Sequence, residues 1–111
     1  MITLKNLDSK ITSLDQTPIA DLKPGKTLTY KSALISVCEL HHSTEPGSGE
    51  NLLAYDIGTR LVKTQNEIEL DEADIAFLMK IVKSSQVFLA VVIGRLYYYL
   101  KDASESTGVK K

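Results

Sequence analysis

The run Val87-Phe88-Leu89-Ala90-Val91-Val92-Ile93 is the longest unbroken apolar stretch in the chain, and it constrains the fold more than any other segment. A segment apolar on every side must be the centre of a core, or must be half exposed and covered by a second subunit. Its length falls far short of the roughly 20 residues of a membrane span, so no membrane segment is expected. Val87, Phe88, Val91, Val92 and Ile93 are β-branched or aromatic, which makes a strand a real competitor. The spacing Leu89, Ile93, Leu96, Leu100 favours a helix from about Gln86 to Lys101.

Three further helices are expected before it. The first starts near Thr27 or Thr29, either of which can cap free backbone N–H groups. It carries Ala33, Leu34, Val37, Cys38 and Leu40 on its core face and ends by His41-His42. The second runs from about Glu50 to Gln65 on a stripe of Leu53, Ile57 and Leu61, widened by Leu52, Tyr55 and Val62. Gly58 lies inside it, where glycine costs about 1 kcal/mol against alanine, so close approach of another backbone is expected. The third has the clearest start. Asp71 can cap it with Asp74 three residues on, and Leu70 and Ile75 flank the cap as a hydrophobic staple. Ile75, Leu78, Met79 and Val82 form its buried stripe, and acids at the start with Lys80 and Lys83 near the end suit the helix dipole.

Residues 1–26 differ from the rest. Ile2, Leu4 and Lys10-Ile11-Thr12-Ser13-Leu14 alternate briefly between turn signals at Asp8-Ser9, at Asp15-Gln16-Thr17-Pro18 and at Lys23-Pro24-Gly25-Lys26. They read as a short β-hairpin or arm, with Glu67-Ile68-Glu69-Leu70 as a strand able to pair with it. The segment 43–49 reads as a flexible loop, and 104–111 as a disordered polar tail. The expected fold is mainly α (α+β): one domain over 1–103, with three to four helices and a short N-terminal β-hairpin or arm. At 111 residues with 43 % hydrophobic side chains, a core can form without metals or disulfides. The single cysteine fits a reducing compartment, and Met1 to Lys5 do not open a signal peptide, so a cytoplasmic protein is expected.

Candidate chemistry is sparse. Cys38, His41 and His42 lie within one helical turn, but a structural zinc needs four ligands and the chain offers no second Cys/His pair. A buried cysteine followed by two solvated histidines is the plainer reading, and burial would raise the pKa of a Cys38 nucleophile. Pro46-Gly47-Ser48-Gly49 precedes a helix but lacks the offsets of a phosphate cradle. Glu67, Glu69, Asp71, Glu72 and Asp74 lack the pattern of a calcium loop. They are a capped helix start, or else an acidic surface for a basic partner. No metal or cofactor is expected. Net charge is −1, with 13 basic and 14 acidic residues, which argues against nucleic-acid binding. Such a module would use Lys23, Lys26, Lys31 and Lys63.

Tyr97-Tyr98-Tyr99 is the least ordinary feature. Three consecutive helical residues span about 200° of surface, so at least one tyrosine should face solvent or a partner. With Arg95 beside them they have the composition of a binding hot spot.

The order Leu14-Asp15 … Pro18-Ile19, Thr27-Leu28-Thr29, Glu50 … Tyr55 … Leu61, Ile68-Glu69-Leu70 … Asp74-Ile75 … Leu78 … Val82, then Val91-Val92 … Gly94-Arg95 and Leu100 resembles small proteins encoded in tailed bacteriophage and prophage genomes. The resemblance covers Leu14 to Leu100 and rests on structural motifs of low specificity. It implies a viral accessory or morphogenesis protein in the bacterial host cytoplasm, or associated with the virion, and supplies no catalytic residues. Two functions are then expected in order. One is a non-enzymatic assembly factor that binds protein and self-associates through Arg95, Tyr97, Tyr98 and Tyr99. The other is an acidic inhibitor of a host nucleic-acid enzyme or defence complex acting through Glu67, Glu69, Glu72 and Asp74.

Overall fold

The computed structural model describes residues 2–21, 25–41, 47, 49–85 and 88–108. Among them the chain is mainly α, with four helices and one small antiparallel sheet. The elements are β1 (Ile2–Leu4), α1 (Tyr30–Leu40), α2 (Glu50–Lys63), β2 (Ile68–Leu70), α3 (Glu72–Lys83) and α4 (Ala90–Gly108).

The N-terminal segment forms the expected short β element, and its strand takes the Ile68–Leu70 segment as partner. β1 pairs with the distant β2, in the register Ile2 with Leu70 and Leu4 with Ile68. The alternation of β2 buries Ile68 and Leu70 and exposes Glu69. The turn after β1 continues this attachment, because Leu7 N–H donates to the Asn66 carbonyl at 2.9 Å and Asp8 N–H to Asn66 Oδ1 at 3.0 Å. From Lys10 to Thr29 the chain meanders through single antiparallel bridges, Lys10 with Thr29, Thr12 with Pro18 and Ala20 with Thr27. Of the apolar residues in the N-terminal segment, Leu4, Leu7, Ile11 and Leu28 are fully buried. The first 26 residues are thus packed on the domain where they are described. Lys23 and Pro24 of the expected turn lie outside the described residues.

α1 begins at Thr29, which forms a reciprocal cap with Ser32. Ser32 N–H donates to Thr29 Oγ1 at 3.1 Å, and Thr29 N–H donates to Ser32 Oγ at 2.9 Å. α3 begins at Asp71, which accepts from Asp74 N–H at 2.8 Å, with the staple residues Leu70 and Ile75 both buried. In α2, Gly58 permits close approach to α1, since a Cβ there would stand 3.2 Å from the Cys38 Cβ.

Several expected faces are corrected. α2 ends at Lys63, and it buries Ala54, Ile57, Gly58 and Leu61. Leu52, Tyr55 and Val62 were expected to widen the buried stripe, but each is more than half exposed, as is Leu40 of α1. α1 covers only one side of α2, so residues about a third of a turn from the contact face remain in solvent. On α3, Phe77 and Ile81 are buried beyond the expected stripe, because α4 and α1 both pack there.

α4 starts at Ala90, later than expected, so the apolar run divides. Phe88 packs partly on the core and Leu89 is exposed. Gln86 and Val87 lie outside the described residues. The helix also continues to Gly108, so residues 104–108 are helical and not a disordered tail. Ala103 packs against the core, which carries the helix past the expected end. The tail beyond Gly108 lies outside the described residues. Val92, Leu96 and Leu100 form the inward stripe of α4.

Removing the Thr29 hydroxyl should orphan the N–H of Ser32 at a half-buried helix start. Thr29→Ala is therefore expected to cost about 1 kcal/mol, seen as a lower urea midpoint with an unchanged slope.

Candidate docking surface

The outward stripe of α4 runs through Val91, Gly94, Arg95, Tyr98 and Asp102, residues three or four apart that share one face. Together with Leu14, Tyr30, Ala90 and Tyr99 they line an open groove of about 600 Å³. One wall belongs to the N-terminal segment. Arg95 fixes it there, with Nε donating to the Thr12 carbonyl at 3.1 Å and Nη2 to the Ser13 carbonyl at 3.0 Å.

The turn beyond those carbonyls is closed by its own side chains. Asp15 Oδ1 accepts from Thr17 Oγ1 at 2.7 Å and from Thr17 N–H at 3.2 Å, and it also accepts from the Ser13 hydroxyl. These bonds, that from Ser13 foremost, hold the Asp15 carboxyl down at about 2. Leu14 rides at the tip of this turn with 83 % of its surface in solvent.

The three tyrosines divide their roles. Tyr99 stacks on Tyr30, with ring centroids 4.6 Å apart, and its hydroxyl donates to the Lys5 carbonyl at 2.5 Å. Burial first, and the neighbouring Tyr30 second, push its phenol above the ordinary value. Tyr97 is half-buried and meets Tyr98 edge-on at 5.4 Å. Tyr98 is the exposed member, 59 % accessible, with the Lys101 ammonium 5.8 Å from its ring centre. Arg95 and Tyr99 therefore hold the chain's own N-terminal segment, and Tyr98 is the tyrosine left exposed to solvent.

Gly94 lies in the floor of the groove. Mid-helix glycine costs about 1 kcal/mol against alanine. Among the described residues, nothing beyond its own helix turn comes within 4 Å of where its Cβ would stand, unlike Gly58. A second groove of about 440 Å³ lies between α1 and α2, lined by Ile35, Cys38, Glu39, Tyr55 and Val62 among others.

The acidic residues do not converge on a cation site. Glu67, Glu69 and Glu72 are exposed. Asp74 Oδ2 lies 3.5 Å from Arg60 Nη1, and Arg60 Nη2 donates to the Glu69 carbonyl at 2.8 Å. Among the described residues no three His, Cys, Asp or Glu side chains are grouped to hold a metal.

Cys38 is buried, and desolvation followed by the charge of Glu39 pushes its thiol up to about 12. His41 caps α1, edge-on to Phe77, with Nε2 3.3 Å from Glu50 Oε1. His42, and Pro46 and Ser48 of the glycine-rich loop, lie outside the described residues. Gly49 serves as the N-cap of α2. The Lys31 ammonium donates to the Thr64 carbonyl at 2.5 Å, and Lys23 lies outside the described residues.

Sequence reasoning missed Leu14 and Leu89 as exposed apolar groups. Leu14 carried a usable signal, since the turn residues Asp15-Gln16-Thr17-Pro18 follow it directly and turn tips face solvent. Among the described residues, no helix is long and apolar enough to cross a membrane. No family model matches the sequence, and no curated protein and no solved structure matches it significantly.

Arg95→Ala should free the turn without unfolding the core. Hydrogen exchange is expected to quicken by about tenfold or more at the Gln16 and Thr17 amides, in line with the roughly 1.5–3 kcal/mol of hydrogen bonds from a charged donor. Protection in α3 should stay unchanged.

The Glu50 carboxylate carries a pH dependence. Its bond to Lys80 above all, with His41 contributing, lowers its pKa from 4.5. A lowered carboxylate pKa lends stability above the unfolded value, and that stability is lost as pH falls through the folded value. The difference in melting temperature between the native chain and Glu50→Gln should thus be present at pH 7 and shrink once pH drops below 4.5.

Proposed function

We propose that the chain is a non-enzymatic accessory or morphogenesis protein of a tailed bacteriophage or prophage, acting by protein–protein binding in the bacterial host cytoplasm or on the virion. The binding part of this reading is carried by one observation. A groove on the outer face of α4 is framed by the exposed Leu14 and Tyr98, with exposed Leu89 just before the helix. Large exposed apolar groups scattered singly need no explanation, but those grouped about a concavity mark binding sites.

The groove is also held in shape. Arg95 fixes its wall at Thr12 and Ser13, and Tyr99 holds the same N-terminal segment at Lys5. A partner would meet a surface already ordered, which reduces the entropy lost on binding. The viral setting is supported only by the resemblance of the Leu14 to Leu100 pattern to small phage and prophage proteins. Leu52, Tyr55 and Val62, exposed on one side of α2, offer a second apolar surface on another helix. An assembly factor that contacts itself and a virion component needs two such surfaces.

A second reading, an acidic inhibitor of a host nucleic-acid enzyme or defence complex, has in its favour the exposed carboxylates of Glu67, Glu69 and Glu72. The Arg60 guanidinium among them weakens the negative field such mimicry requires.

The test compares the native chain with Leu14→Glu/Tyr98→Ser. Both substitutions fall on exposed side chains, so helix content should not change. Self-association in light scattering, and proteins retained from bacterial lysate, should be weakened by this pair and unaffected by neutralising Glu67, Glu69 and Glu72. Retention that depends on the carboxylates and falls with salt would favour the inhibitor. No effect of the α4 pair on any interaction would remove the docking reading.

A further inference from the structure

Resting on the docking reading of the α4 groove, we infer that its occupant is a second copy of this chain. The two copies are related by a two-fold axis passing beside Tyr98, with their α4 helices antiparallel.

A two-fold contact sets a patch against itself, so the patch must be self-complementary in charge and in shape. The α4 groove meets the charge condition. Its ionised lining residues are Arg95 and Asp102, of opposite sign and seven positions apart on one face. At 1.5 Å per residue they stand roughly 10 Å apart along the helix. An axis midway between them falls beside Tyr98 and brings Asp102 of each copy to Arg95 of the other. At the rim, Lys101 lies over the Tyr98 ring, and Asp15 follows Leu14 in the turn. The patch therefore holds two cations and two anions and does not repel its own copy.

The shape condition rests on Gly94. Among the described residues the space above it is empty, and the missing Cβ serves no contact there. In an antiparallel pair about Tyr98, the absent side chain leaves room on either side of the axis for the other copy's exposed side chains. Tyr98, exposed at the centre, then meets its counterpart, and Leu14 at the rim of each copy closes over the other's helix. Apolar contact at the centre with opposite charges around it is the usual arrangement of a specific interface.

The α1–α2 groove fails the same condition. Among its lining residues Glu39 is the only acid and there is no lysine or arginine, so a copy facing itself would set like charges together. That groove suits a different partner.

Three variants of the full chain test the inference by sedimentation and light scattering across a concentration series. The native chain is expected to dimerise. Asp102→Arg and Leu14→Glu should each raise the dissociation constant on the order of tenfold or more, as charge reversal or an unpaired charge does at a specific contact. Their circular dichroism should match the native chain, since both positions are exposed. Tyr98→Cys should form a symmetric disulfide on mild oxidation, visible as a dimer on a non-reducing denaturing gel. The native chain, whose Cys38 is buried, should run as a monomer on that gel.

A dimer that ignores Asp102→Arg and Leu14→Glu and yields no disulfide through position 98 would overturn the inference. So would a ring or filament, which needs two different patches in contact. A native chain that stays monomeric at every concentration overturns it as well. In that case the docking reading still stands if Leu14→Glu/Tyr98→Ser abolishes retention of a lysate protein, and falls with the inference if it does not.

Discussion

The first turn of α1 depends on the N-terminal segment for its hydrogen bonds, and much of the molecule follows from that. A helix leaves its first backbone N–H groups without partners inside the helix. Here Tyr30 N–H donates to the Ser9 carbonyl at 3.1 Å and Lys31 N–H to the Leu7 carbonyl at 2.9 Å. Ser32 N–H is taken by Thr29. Leaving a buried donor unpaired costs about 1–3 kcal/mol, so the segment cannot swing away without exposing or orphaning these groups. It is therefore drawn across the domain, with Leu7 and Ile11 beneath it and Leu28 beside it, all fully buried. The same path delivers the carbonyls of Thr12 and Ser13 to Arg95 and that of Lys5 to Tyr99.

Magnitudes separate the two clusters that looked functional in sequence. The Arg95 bonds are partly buried and charge-assisted, a class worth about 1.5–3 kcal/mol each. The Arg60–Asp74 pair is exposed on the arginine side, at 47 % of the side chain, and spans 3.5 Å. Pairs of that kind contribute about 0–1 kcal/mol. The α4 side thus has a defined shape, whereas the acidic side is a set of charges on a well-capped helix start. A partner recognising shape would read α4. A partner recognising charge alone would meet carboxylates with an arginine among them.

Local structure was legible in this sequence wherever a backbone demand singles out a residue type. Thr29 and Asp71 stand where helix starts need an acceptor, β2 lies where Ile68 and Leu70 alternate, and Gly58 sits where α1 comes close. The width of a buried face was not legible. Spacing says that Leu52, Tyr55 and Val62 lie near the Ile57–Leu61 stripe, but only the position of α1 decides that they remain exposed. The roles of the tyrosine triplet were hidden for a similar reason. That the three residues cannot all be core follows from helix geometry. Which of them binds the N-terminal segment depends on contacts with Lys5 and Tyr30, residues 94 and 69 positions from Tyr99. The end of α4 escaped because composition marks small polar residues as tail, while an anchored helix can propagate one bond per residue through them.

The apolar run that first constrained the fold now has a physical account. Val92 is sealed in the core, Val91 and Ile93 are half covered, and Leu89 stands free before the helix starts. The run is thus divided between the core and the surface that leads into the groove. The groove's outer residues are also set on ordered elements. Tyr98 is flanked by Tyr97 and Lys101, and Leu14 is carried by a turn that Asp15 closes. Ordering a free rotamer-rich side chain on association costs about 0.5–1.5 kcal/mol, so a surface restrained in advance loses less when a partner arrives. The interactions that order this face are intramolecular, and that order is present before any partner binds.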